Sequence, residues 1–150
     1  MATKKSSTDL DFVRTYYEHQ YDRIQNNVAH RLAISNYVLS ISALAFTFGY
    51  QNVSQLTLIN GVGLPLIIMI ANIFAISNIT YTAEFIDVHR SRAHEVLQRY
   101  AAELSNIDKT HNFRIGLLNR KRKIEKGIHQ LLIIVALIPF GIFLYQTILK

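Results

Sequence analysis

Three long stretches of the chain are uncharged and mostly apolar. Residues 32–50 read "LAISNYVLSISALAFTFGY", 56–79 read "LTLINGVGLPLIIMIANIFAISNI", and 128–149 read "IHQLLIIVALIPFGIFLYQTIL". None contains Asp, Glu, Lys or Arg, and the titratable His129 is the one exception to their neutrality. A helix rises about 1.5 Å per residue, so the shortest run reaches roughly 28 Å, close to the hydrocarbon thickness of a bilayer. Three such runs in 150 residues leave too little polar chain to cover them in water. The pattern predicts three transmembrane helices.

Outside the runs the period changes to that of amphipathic helices. Leu10, Val13, Tyr17, Tyr21, Ile24 and Val28 recur at steps of three and four, with Asp11, Glu18, Asp22 and Gln25 opposite. "SSTD" ahead of them supplies N-cap candidates, and no Pro or Gly separates this arm from the first run, so one continuous helix is expected. After the second run Phe85, His89, Ala93, Val96, Tyr100 and Leu104 share a face, with Asp87, His94 and Gln98 opposite. Glu95 and Arg99 stand four apart in the stabilising order. "SNIDKTHN" at 105–112 reads as a turn, after which Phe113, Leu117, Ile124 and Ile128 carry a stripe into the third run. Pro65 and Pro139 are expected to kink their helices. The expected fold is an all-α membrane protein of one domain. It comprises an amphipathic helix (9–31), spans at 32–50, 56–79 and 128–149, and a helical hairpin (80–127). The amphipathic extensions bury their stripes against one another as a helical bundle, or between subunits.

Charge gives this layout a direction. The connection "QNVSQ" (51–55) is neutral, whereas 80–127 holds ten of the sixteen Lys and Arg and the N-terminal arm holds five. The positive-inside rule places the N-terminus and the hairpin in the cytoplasm, and "QNVSQ" and the C-terminus outside. The first thirty residues carry Lys4, Lys5, Asp9, Asp11, Arg14 and Glu18 and no apolar core, so the first span is expected to act as an uncleaved anchor. Arg120, Lys121, Arg122 and Lys123 directly precede the third span; anionic lipid headgroups would attract them by about 1 kcal/mol per charge. The net charge of +6 is thus assigned to lipid and topology. Nucleic acid is not an expected partner, because no aromatic residues interleave the basic run.

Candidate chemistry is sparse. The chain has no Cys, which excludes a disulfide framework, a Cys zinc site and thiol catalysis. No Ser/His/Asp arrangement, phosphate loop or dinucleotide fingerprint is present. His89 and His94 are five apart, about 140° around a helix, which does not suit a shared metal. HEPN-type RNases use an Arg and a His with four to six residues between them; "RTYYEH" (Arg14, His19) and "RIQNNVAH" (Arg23, His30) fit, but nine Arg and six His give about one such match by chance. The expectation is a protein that is not an enzyme and has no cofactor, with a membrane-tethered RNase as a lesser alternative. The polar residues within the spans say more. Asn36, Ser40, Ala43 and Thr47 form one stripe; Ala71, Ala75, Asn78 and Thr82 form another, with Asn72 beside it. Amides are costly in hydrocarbon, so Asn36, Asn60, Asn72 and Asn78 should face protein or water. These stripes pack helices together, or line a water-filled path in a symmetric homo-oligomer of about six or more copies. The third span is nearly all apolar and is expected to face lipid. A face of His89, Arg90, Arg92, His94 and Arg99 is the expected contact surface for subunits or for a cytosolic protein trigger. The competing reading is a structural subunit that recruits a partner through residues 85–126.

The layout resembles SLATT-type proteins among the small membrane effectors of bacterial anti-phage and nucleotide-signalling systems. The resemblance is carried by "YYEHQYDRIQNNVAHRLAISNYVLSISALAFTFGY", the second span and "AEFIDVHRSRAHEVLQRYAAEL", about residues 9–107; the third span is additional to the two-span plan. It implies a homo-oligomer in the bacterial inner membrane that permeabilises or depolarises that membrane when triggered.

Overall fold

The computed structural model describes the backbone of residues 7–50, 56–100 and 112–148, and the side chains of 11–50, 56–100 and 119–148. The connection at 51–55, the turn at 105–111, the side chains of "SSTD", and those of Leu10, Leu104, Phe113 and Leu117 lie outside these residues.

All regular structure among the described residues is helical. Helix α1 runs unbroken over Ser7–Gly49, α2 over Leu64–Tyr100 and α3 over Asn112–Ile148. All three are long and apolar enough to cross a membrane. The arm and the first apolar run form one continuous helix, as the absence of Pro and Gly before Gly49 predicts.

The start of α2 is less regular. A π-helical turn, Ile59–Gly63, leads directly into it. Thr57 opens the turn, its Oγ1 accepting the Asn60 N–H at 3.3 Å and its carbonyl accepting the Gly61 N–H at 2.7 Å. Pro65 lacks an N–H, and its ring crowds the carbonyl four residues earlier, at Gly61; the wider π turn gives that carbonyl room. Pro65 therefore sits in the first turn of α2 and not in mid-helix. Pro139 lies inside α3 and is buried.

The chain divides into two compact units: Met1–Arg31 with Tyr81–Arg120, and Leu32–Thr80 with Lys121–Lys150. In the first, α1 and α2 meet at buried Gln20 and His89, and Ile86 and Ala93 flank the histidine one turn to either side. In the second, three helices meet. Ser42 contacts Asn72, and Gly49 lies against Leu64, so α1 and α2 are antiparallel; Asn72 contacts His129, and Gly61 lies against Phe143, so α2 and α3 are antiparallel.

The buried positions of α2 follow the two-step repeat of a coiled-coil seam. Gly61, Pro65, Ile68, Asn72, Ala75 and Ile79 alternate steps of four and three, and Thr82, Ile86, His89 and Ala93 keep the same register. In α1 the buried positions of the second unit are Ser35, Val38 and Ser42; in α3 they are His129, Ala136 and Pro139. Small residues dominate these faces, which lets helix axes approach closely.

Candidate functional site: a buried polar network

At the centre of the second unit four polar side chains are sealed from solvent. Asn72 and His129 are 0 % exposed, Ser42 1 % and Ser35 3 %. Each helix supplies at least one. Asn72 Nδ2 donates to the Ile68 carbonyl at 2.8 Å and to Ser42 Oγ at 3.0 Å. His129 Nδ1 lies 2.7 Å from Asn72 Oδ1, and its Nε2 lies 2.8 Å from Ser35 Oγ.

These contacts assign the amide, the imidazole and the Ser35 hydroxyl. The Ile68 carbonyl can only accept, so the Asn72 nitrogen must face it and the Asn72 oxygen must face the imidazole. That oxygen also only accepts, so His129 Nδ1 carries the ring hydrogen. Nε2 is then the lone-pair nitrogen and accepts the Ser35 hydroxyl. Both hydrogens of the Asn72 amide and both ring nitrogens of a neutral His129 are engaged. A buried polar group costs most when unpaired, and here that cost is met by partners on three helices.

The third apolar segment is the least buried of the three, and it turns one narrow face inward through His129, Ala136 and Pro139. His129 was missed as a site because apolar periodicity carries no information about it. The available signal was its rarity, a single titratable side chain in an otherwise apolar run.

The two stripes read from sequence separate in the structure. Asn72 and Thr82 are buried. Asn78 is half-buried, and its Oδ1 is enclosed without a hydrogen-bond partner among the described residues. Asn36, Ser40, Ala43 and Thr47, by contrast, are all exposed. The face of α1 that packs within the chain is the one carrying Ser35, Val38 and Ser42, and Asn36 is rotated about 100° from Ser35. Thr47 returns its hydroxyl to the Ala43 carbonyl at 2.9 Å, whereas Asn36 and Ser40 make no side-chain hydrogen bond among the described residues.

The expected contact face also divides. His89 is 2 % exposed, makes a hydrogen bond to Gln20 Oε1 through Nδ1, and meets the Phe85 ring edge-on at 4.3 Å, so it is an internal residue and not a surface for partners. Burial pushes its pKa down, and Arg23, Arg92 and His19 act in the same sense. Arg90 reaches Asp87 at 3.4 Å, Arg99 pairs with Glu95, and half-buried His94 lies 2.8 Å from Gln98. Arg92 and Arg99 border an open groove of about 270 Å³ with Phe12, Tyr16, Val96 and Tyr100. Arg120, Lys121 and Lys123 are exposed and Arg122 is half-buried. Among the described residues no group of His, Asp and Glu is disposed to hold a metal.

Arg14 and His19, and Arg23 and His30, the pairs that fit an RNase spacing, all lie on α1, and the four side chains are exposed. Arg14 instead pairs with Glu18 at 2.9 Å. No family model, no curated protein and no solved structure matches this chain.

Proposed function

We propose that this chain is a non-enzymatic membrane protein that assembles with copies of itself and forms or gates a pore, lined by the Asn36–Ser40–Ala43–Thr47 face of α1. One observation carries the reading. All four positions are exposed although they lie in an apolar segment long enough to span a bilayer, and the chain's own helix contacts use a different face. An amide and a hydroxyl without partners are costly against lipid, and water or the like face of a neighbour removes that cost. Three helices are too few to enclose water alone, so the path lies between copies. In this reading the charge asymmetry sets the N-terminus in the cytoplasm of a bacterial inner membrane, exposed Arg120, Lys121 and Lys123 meet anionic headgroups, and the resemblance to anti-phage effectors suggests a membrane-disrupting role in defence.

The test is ion flux through proteoliposomes and the membrane potential of expressing cells. The protein should conduct, and Asn36→Leu, Ser40→Leu and Thr47→Leu combined should abolish conduction while assembly persists. Undiminished flux in that variant would remove α1 from the path.

A second reading, a subunit that recruits a cytosolic partner, is favoured by the open groove beside Arg92 and Arg99. It expects expression alone to leave the membrane intact, and Arg92→Glu with Arg99→Glu to abolish capture of one stoichiometric partner.

A further inference from the structure

We propose that His129, with Ser35, Ser42 and Asn72, is an acid-sensitive latch: it holds α3 against α1 and α2 while the ring is neutral and releases that hold when the ring takes up a proton. The geometry is the argument. Asn72 Oδ1 accepts from Nδ1, and Ser35 Oγ donates to Nε2, a pattern only the neutral ring completes. A second ring N–H would point at the Ser35 oxygen, and that hydroxyl would have to turn its hydrogen away from the ring. The added charge would also be fully enclosed, since His129 is 0 % exposed. Enclosed charge without an adjacent counter-charge is among the most costly arrangements in a protein.

Two of the three helices face the ring with neutral groups. From α1 the ring is faced by Ser35 and from α2 by Asn72, neither titratable, with Ser42 behind Asn72. Along α3, Glu125 lies one turn earlier and is the acidic group acting on the ring, so its carboxylate moderates the effect. Lys126 adjoins Glu125 along α3. Proton uptake therefore reverses the Ser35 bond and places an enclosed charge at the point where hydrogen bonds join all three helices.

The second buried histidine responds in the same direction. Because the folded state holds the His89 pKa below its usual value, its contribution to stability is complete above about pH 6.5 and is lost as pH falls through the folded value. The latch is therefore tested with His89 replaced. In detergent micelles the thermal midpoint of His89→Gln protein should fall several degrees between about pH 8 and about pH 5. Adding His129→Gln, which retains a donor and an acceptor but does not titrate, should remove most of that fall. Parallel falls in the two proteins would overturn the latch. Nitrogen-15 NMR of His89→Gln protein with labelled histidine needs no change at the latch itself. Near pH 8 the His129 ring should be neutral with its hydrogen on Nδ1, and a ring charged there or protonated on Nε2 would overturn the proposal.

The consequence for transport rests on the pore reading, and the two fail separately. If both hold, acid raises flux in proteoliposomes containing His89→Gln protein and not in those containing the double variant. Divergent midpoints without flux at any pH would keep the latch and remove the pore. Flux together with parallel midpoints would keep the pore and remove the latch.

Discussion

Asn72 ties together the three helices of the second unit. Its side chain bonds to α1, to α3 and to its own helix. Deletions around it should therefore be graded. Ser42→Ala removes one acceptor and leaves Asn72 with the Ile68 carbonyl and His129, a loss of about 0.6 kcal/mol by the average for such bonds in membranes. Asn72→Ala strands the His129 Nδ1–H in a sealed interior, at about 1–3 kcal/mol before any cavity term. Denaturant or thermal unfolding of the two variants in detergent measures the difference, and equal losses would show that the amide is not the hub. How far this site could be read in advance differs from residue to residue. Asn72 was legible as an amide that had to face protein, because its cost in hydrocarbon depends on residue type alone. Its partners were not legible. Choosing Ser42 over Ser40, and finding His129 more than fifty residues away, requires the crossing geometry of three helices, which no local pattern contains.

Helices of 43, 37 and 37 residues follow from what the sequence lacks, since outside Pro65 in the first turn of α2 and Pro139 in α3 no proline lies within them. Their continuity was legible for that reason. The face that each presents was only partly so. On α1 two small, polar stripes run side by side, one through Ser35 and Ser42 and one through Asn36, Ser40 and Thr47, and composition does not rank them. The π turn ahead of Pro65 was not legible either, since a proline at a helix start is equally compatible with an ordinary α turn. A Cβ on Gly61 would fall 2.5–2.6 Å from the Cβ, Cγ and Cδ2 of Phe143. Those atoms are the base of the side chain, which a rotamer change at its far end cannot clear. Gly61→Ala should accordingly lower stability by about 1–3 kcal/mol, the usual cost of overpacking. Phe143→Ala in the same chain should recover part of the loss, a coupling that a double-mutant cycle reads directly. Gly141→Ala, whose new methyl meets open space, is the control and should leave the thermal midpoint unchanged or slightly higher.

For the whole molecule the question is what covers the outward face of α1. Tyr37, Ile41, Leu44 and Phe48 are exposed and suit lipid, and beside them stand exposed Asn36 and Ser40, which do not. One helix thus offers two surfaces with different solvents, as expected of a subunit that meets hydrocarbon on one side and water or a neighbour on the other. Closed symmetry is the economical way to satisfy such a face, because a ring gives every copy the same neighbours and leaves no polar edge. Native mass spectrometry of the detergent-solubilised protein should then return a single closed species of about six or more copies. A monomer or dimer would bring at most six apolar helices together, too few to surround a continuous water path with α1 facing it. That outcome would leave the Asn36 face to a different protein, and the groove at Arg92 and Arg99 would become the surface through which this chain does its work.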